Sequence, residues 1–213
     1  MGDGSGAIDP GSTPEALTRR TFIKGVIAGG VVASSAVRLF RAAPAQAQVR
    51  ALGDRLVTLD VNGQQRRAEV PRQETLAWTL RHRLGLTGTK VGCDRAECGS
   101  CTVLLDDVPH YACSVLTHAV RGRKILTIEG LARPDGTLHP VQQGVVEAQG
   151  FQCAFCMSGF IMSAVGFLKA NPEPSRAELA RGVSGNLCRC QDYDKILDAL
   201  GRGAELWRRA GNG

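Results

Sequence analysis

Aromatic residues make up only 5% of this 213-residue chain: six Phe, two Tyr and two Trp. Its core must therefore rest on aliphatic side chains. Charge is also unconcentrated: the 26 Lys and Arg are interspersed with the 20 Asp and Glu, apart from a small basic excess in the first 47 residues. Without a basic stripe studded with aromatics, nucleic acid is not an expected partner. The four histidines, His82, His110, His118 and His139, have no ligand spacing and read as surface or packing residues. No fingerprint for a nicotinamide, a flavin or a molybdopterin core is present, nor an internal repeat or a low-complexity tract. The chain shows no substrate pocket of its own.

Cysteine is what it has in excess. Eight cysteines in a chain that is 43% apolar and 22% charged are too many for incidental packing in one domain or two small ones. The N-terminus bears on their redox state. Residues 18–24 read TRRTFIK, followed by the uncharged stretch Gly25–Val37 and then RAAPAQAQ, with small residues spaced as a cleavage site. This is a three-part export signal in its twin-arginine form. Its apolar part is too short and too weak to span a bilayer comfortably, so no stable membrane span is expected after cleavage. The twin-arginine route resembles that of proteins which fold and load cofactors before export. Thiols already wrapped around a metal would escape the oxidation that awaits an unfolded chain outside.

The remainder divides into a β-rich half and a helical half. LVTLDVNGQQRRAEV, Leu56–Val70, alternates apolar and polar residues about Asn62-Gly63 and predicts a hairpin. A short helix is expected over Thr75–Arg83, then strands at Thr102–Leu105, near His110–Cys113 and at Ile125–Ile128. The turn-rich GLARPDGT, Gly130–Thr137, marks a boundary. Beyond it, apolar spacing predicts four helices, carried by Val141, Val145 and Ala148; by Phe160, Ala164, Val165 and Leu168; by a segment opening at Pro174 or Ser175; and by Ile196, Leu200 and Trp207. Gly159 and Gly166, seven apart on the second helix, would admit a close neighbour. Domains this small have marginal cores and need a staple, and each half holds four cysteines.

Cys93-x4-Cys98-x2-Cys101, then eleven residues and Cys113, is the plant-type [2Fe–2S] spacing. Such a loop must wrap its cluster closely enough for backbone amides to point at sulfur, and Gly92 and Gly99 stand where side chains would obstruct. By analogy Cys93 and Cys98 share one iron, and Cys101 and Cys113 the other. Zinc prefers closer pairs with longer gaps, and disulfides within such a loop are awkward. In the helical half, Cys153-x2-Cys156 precedes a helix, and Cys188-x-Cys190 lies in a loop. On spacing alone this second set suits zinc or an anionic cluster.

Three stretches, LGLTGTKVGCDRAECGSCTVLLDD, LHPVQQGVVEAQGFQCAFCMSGF and GNLCRCQDYDKI, resemble the iron–sulfur subunit of the molybdenum hydroxylases over roughly Arg55–Trp207. The resemblance implies an α+β chain: a β-grasp ferredoxin-like domain over 54–130, then an all-α four-helix-bundle domain over 136–210, behind a twin-arginine signal peptide at 1–47. It implies two [2Fe–2S] clusters, with Cys153, Cys156, Cys188 and Cys190 as the second ligand set. Gln152 and Cys190 would contact a molybdopterin-type molybdenum cofactor bound by a separate large subunit. It further implies an electron-transfer role in an exported, periplasmic aldehyde oxidoreductase, with a flavin subunit or a cytochrome c as acceptor and no catalytic residue in this chain. The same role in an N-heterocycle dehydrogenase, or a freestanding two-cluster ferredoxin, are the alternatives. Asp94, Ala96 and Ala154 stand where the family often has glycine, and Met157-Ser158 where Thr-Pro is common. Arg189, between two candidate ligands, would either offset cluster charge or remain solvated.

Overall fold

In the computed structural model, residues 18–26 and 55–211 are described. Most of segment 1–47, where a signal peptide is expected, lies outside them. Residues 19–26, which include Arg19 and Arg20, form a short exposed helix. Its first turn is closed by Thr18, whose Oγ1 accepts from Thr21 N–H at 3.3 Å. Among the described residues no helix is long and apolar enough to cross a membrane.

The hairpin forms as its alternation dictates. β1 (Arg55–Val61) and β2 (Gln64–Val70) pair antiparallel, joined by Asn62 and Gly63 at φ 55° and 72°, both in the left-handed region that a two-residue turn requires. Val57, Leu59, Val61, Ala68 and Val70 are buried on one face. β3 (Thr102–Leu105) and β4 (Val108–Tyr111) form a second hairpin through Asp106-Asp107. β5 (Lys124–Leu126) lies between the two, parallel to β1 and antiparallel to β3, giving the order β2-β1-β5-β3-β4.

Two strands end earlier than expected. β4 ends at Tyr111 because Ser114 turns back on it, both N–H and Oγ donating to the Tyr111 carbonyl at 3.0 Å; Cys113 therefore sits in a turn. β5 stops at Leu126 because the Thr127 N–H donates to Asn62 Oδ1 at 2.9 Å, and Ile128–Gly130 coils into a 3₁₀ turn. The expected helix at Thr75–Arg83 is α1 (Leu76–Trp78), widening into a π-type turn over Thr79–Arg83.

The second half has four helices. α2 (Pro140–Glu147) is capped by His139, whose Nδ1 accepts from Val141 N–H at 3.2 Å. α3 (Met157–Ala170) ends at Asn171 before Pro172. α4 (Arg176–Gly182) opens with a reciprocal Ser175–Glu178 capping box. α5 (Tyr193–Arg209) buries Ile196, Ala199, Leu200, Ala204 and Trp207 at helical spacing. Burial and Lys169 depress the His139 pKa to about 4, which keeps the cap a neutral acceptor, packed edge-on to Trp207.

β3 unites the halves. All four of its residues are buried. Val103 and Leu105 face the core shared with β1, β2 and α1, whereas Leu104 points the other way into the helical core. α3 packs on that side: a Cβ at Gly166 would lie 2.4 Å from Pro109 and 3.0 Å from Leu104. Residues 55–211 consequently belong to one compact unit with two cores back to back.

An ion pair to a buried carboxylate steadies the sheet side. Arg83 grips the 9%-exposed Glu74 with two nitrogens, Nε at 2.7 Å from Oε1 and Nη2 at 2.7 Å from Oε2. Thr79 Oγ1 adds a hydrogen bond to Oε1 at 2.6 Å and lies 2.8 Å from Thr117 Oγ1. Burial pushes the Glu74 pKa up, but hydrogen bonds from Arg83 and Thr79 outweigh it and leave it below its ordinary 4.5. A carboxylate depressed in the folded state contributes stability above its unfolded pKa and loses it as pH falls through the folded one. Glu74→Gln should cost about 2 kcal/mol at neutral pH. In thermal melts, its deficit against the parent should be full at pH 6–7 and close as pH drops below about 4.5.

Candidate metal centres

The first loop is held from two sides. The first amides of α1, which have no side-chain cap, find acceptors in the chain around Cys113: Leu76 N–H donates to Val115 O at 2.7 Å and Ala77 N–H to Ala112 O at 3.0 Å. Ala112 N–H donates to Cys101 O at 3.2 Å, bringing Cys101 and Cys113 together. Ahead of them the loop curls around Cys93, whose sulfur receives the N–H groups of Arg95, Glu97 and Cys98 at 3.5, 3.4 and 3.4 Å. The Ala96 N–H reaches Cys113 Sγ at 3.3 Å. That curl needs Asp94, Ala96 and Gly99 at φ 53°, 60° and 68°, the left-handed region where a side chain costs about 1–2 kcal/mol.

Electrostatics set Cys93 apart from Cys101. Burial raises the Cys93 pKa, but its three amide donors outweigh that and bring it down to about 7. Burial drives Cys101 up to about 12, with Cys113 beside it adding to the rise. Cys93 is thus ready as thiolate near neutral pH, and Cys101 needs a metal's positive charge to lose its proton.

The second set is assembled by α3, α5 and the loops before them. Cys153, Cys156, Cys188 and Cys190 line one small cavity with Gln152 and Asp192. They associate crosswise: Cys190 Sγ lies 3.5 Å from Cys153 Sγ, and Cys156 meets Cys188. Cys156 is pushed up to about 12 by burial and by Cys188. Cys188 is lowered on balance: burial opposes, and the amides of Asp192, Cys190 and Gln191 prevail. Ala154 and Gln191 bend the two loops at φ 57° and 63°. Cys156 and Cys188 are buried, Cys190 half-buried and Cys153 exposed.

All eight cysteines are free thiols. Sulfurs in two separate pairs, with amides directed at them and a cavity walled by all four of the second set, fit a two-iron core taking two thiolates per iron.

The two loops touch. Leu187 N–H donates to Cys98 O at 2.9 Å, and the buried Asn186 donates its Nδ2 to Gly99 O at 3.0 Å. Tyr111 Oη donates to Gly185 O at 2.9 Å. A Cβ at Gly159 would lie 2.2 Å from Gly99 O and 2.9 Å from Ser100 Cα, so α3 itself must be bare there.

Profiles of known families match both halves: a "2Fe-2S iron-sulfur cluster binding domain" over residues 59–124 and a "[2Fe-2S] binding domain" over 127–201. The nicotine 6-hydroxylase small subunit of Paenarthrobacter nicotinovorans is 42% identical over 68% of this chain and 86% of its own length. The chain belongs to the iron–sulfur small subunits of the molybdenum hydroxylases. Another relative, the aldehyde oxidoreductase iron–sulfur-binding subunit PaoA of Escherichia coli K12, is 40% identical over 86% of each chain. The solved quinoline 2-oxidoreductase of Pseudomonas putida 86 superposes with a TM-score of 0.70 at 39% identity, over 74% of this chain and 98% of that one. Like its family, the chain carries two [2Fe–2S]-binding domains.

Gln152 is exposed, its Nε2 donating to Asp192 Oδ2 at 3.2 Å. Arg189 is exposed as well. Sequence reasoning missed Asn186, Asp192 and Tyr193, whose hydroxyl accepts the Cys188 N–H at 2.9 Å. Their short polar motif adjoins the last cysteines, but nothing in it signals a partner 87 residues earlier, as Asn186 has in Gly99.

The bare contact at Gly159 can be tested against Gly201 of α5, where an added Cβ meets nothing within 4 Å. Gly159→Ala should lose about 2 kcal/mol or more of stability, and Gly201→Ala should gain roughly 0.5–1 kcal/mol, both measured by thermal unfolding. Equal effects would contradict the close packing of α3 on the first loop.

Proposed function

We propose that this chain is the electron-transfer subunit of an exported molybdenum hydroxylase that oxidises aldehydes to carboxylic acids. Cys93, Cys98, Cys101 and Cys113 hold one [2Fe–2S] cluster in a β-grasp ferredoxin-like domain, 54–130. Cys153, Cys156, Cys188 and Cys190 hold the other in a four-helix domain, 136–210. When bound, each cluster accepts and passes on one electron at a time. The residues of this chain fix where the clusters sit and shield them; catalysis belongs to the large subunit. The observation that carries the reading is the pairing of the sulfurs, Cys93 with Cys98 and Cys101 with Cys113 in the first set, Cys153 with Cys190 and Cys156 with Cys188 in the second, with the Cys98 carbonyl hydrogen-bonded to the residue preceding Cys188.

The second set faces the molybdenum-cofactor subunit. Its support is exposure: Cys153 is open to solvent, and Phe151, Phe155 and Leu187, beside these cysteines in sequence, are 42–53% exposed, apolar surface suited to a partner. Gln152 and Cys190 are placed there to contact the cofactor. The first set then lies on the exit side, toward a flavin subunit or a cytochrome c. Periplasmic export rests on TRRTFIK and the small-residue cleavage site. The alignment with the E. coli aldehyde oxidoreductase subunit runs into the N-terminal segment, since it covers more of this chain than residues 55–211 can supply. The same relative supports aldehydes as substrate, and the nicotine and quinoline enzymes support N-heterocycles as the second reading.

The native complex, purified by a tag on this chain, should be red-brown, bleach with dithionite, and contain molybdenum with about four irons per copy of the chain. A coloured chain that purifies alone would favour a freestanding ferredoxin, and a colourless one would refute the cluster assignment. Deleting residues 1–47 should leave the large subunit in the cytoplasm on fractionation; undiminished export would sink the leader assignment.

A further inference from the structure

We infer that Asp192 is a positioning residue: it fixes the Gln152 amide with its oxygen facing outward, so that the surface beside Cys153 and Cys190 accepts an N–H donor of the partner's cofactor. The inference rests on the proposed placement of this surface against the molybdenum-cofactor subunit.

Asp192 occupies the N-cap of α5, where an aspartate normally accepts an amide of the first turn and contributes about 1 kcal/mol. It makes no such bond. Its carboxylate is spent across the loop instead, accepting from Gln152 Nε2 at 3.2 Å and drawing Lys195 Nζ to 3.6 Å. Its backbone N–H is directed at the Cys188 sulfur. The Asp192 side chain is 16% exposed, and residues 151–155 are exposed throughout.

A carboxylate accepts hydrogen bonds and does not donate them, whereas a glutamine side chain has a donor end and an acceptor end. With the NH₂ turned to Asp192, the Gln152 carbonyl oxygen is the end left over. A surface presenting one oriented acceptor beside a metal centre selects a donor-bearing group and rejects a bare acceptor, which would leave both oxygens unpaired. The forgone helix cap gives Asp192 its distinctive position: it serves the Gln152 side chain with its carboxylate and the Cys188 sulfur with its amide.

The test uses this chain and its molybdenum-cofactor-loaded large subunit, both from the native complex, separated and titrated against each other. Asp192→Asn keeps the shape but can donate as well as accept, which frees Gln152 to turn over. It should weaken assembly about tenfold. Gln152→Glu, placing two carboxylates face to face, should weaken it similarly. The exchanged pair, Gln152→Glu with Asp192→Asn, keeps the parent's net charge and again presents an outward oxygen; it should recover to within about threefold of the parent. The second cluster's visible spectrum in the isolated chain should be unchanged in all three, and the shift of its paramagnetic resonance on assembly should be lost in the single variants and restored in the pair. An Asp192→Asn chain that assembles like the parent, or an exchanged pair that fails to recover, overturns the role of Asp192 while Gln152→Ala still weakens assembly. A Gln152→Ala chain that assembles normally, or a complex without molybdenum, overturns the underlying placement as well.

Discussion

One backbone hydrogen bond, from Leu187 N–H to the carbonyl of Cys98, joins the two cysteine loops at a candidate ligand on one side and one residue from a candidate ligand on the other. Much of the unit can be understood as the means of keeping that bond made. Asn186, beside Leu187, is buried against Gly99 O, and Tyr111 reaches from the end of β4 to Gly185. α3 lies on β3 and β4 with glycines at the points of contact. A sheet core and a helical core that could each be marginal alone are thereby fused, and the separation of the two metal centres becomes a property of the fold rather than of a linker.

The loops themselves are costly conformations. Asp94, Ala96, Ala154 and Gln191 all adopt left-handed backbone without being glycine, a penalty of order 1–2 kcal/mol apiece. The return is electrostatic: only with those reversals can successive amides converge on Cys93 and Cys188. Short hydrogen bonds to sulfur stabilise negative charge, so the same geometry that strains the chain prepares it for an anionic cluster. Metal binding, which is coupled to folding in such sites, offsets the strain. The thiols with the highest pKa, Cys101 and Cys156, are each buried beside a second cysteine, where the uncharged chain would hold the proton most tightly.

Much of this was legible in the sequence. Alternation about Asn62-Gly63 defined the first hairpin, Pro174 or Ser175 marked the opening of α4, and the seven-residue spacing of Gly159 and Gly166 announced a close neighbour. The cysteine spacing named the chemistry of the first centre. The misjudged ends have physical causes. β4 and β5 end early at side-chain and turn hydrogen bonds, Ser114 to Tyr111 and Thr127 to Asn62, which compete with strand pairing and leave no mark in an apolar pattern. The π-type turn after Trp78 likewise shares its periodicity with an ordinary helix over so few residues.

Local sequence was enough to mark most buried positions, the Asn62-Gly63 turn and the two sets of four thiols, because hydrophobic period, glycine and proline conformations and ligand spacing act over a few neighbouring residues. Tertiary structure alone decided how the sulfurs pair: crosswise in the second set, Cys153 with Cys190 and Cys156 with Cys188, although sequence neighbours run the other way. It also decided that the bare face of α3 receives the first cysteine loop, and that the Asp192 carboxylate serves Gln152, 40 residues earlier, instead of its own helix. Those choices depend on which surfaces meet when two cores close on one sheet, and contacts between distant segments carry no local signature.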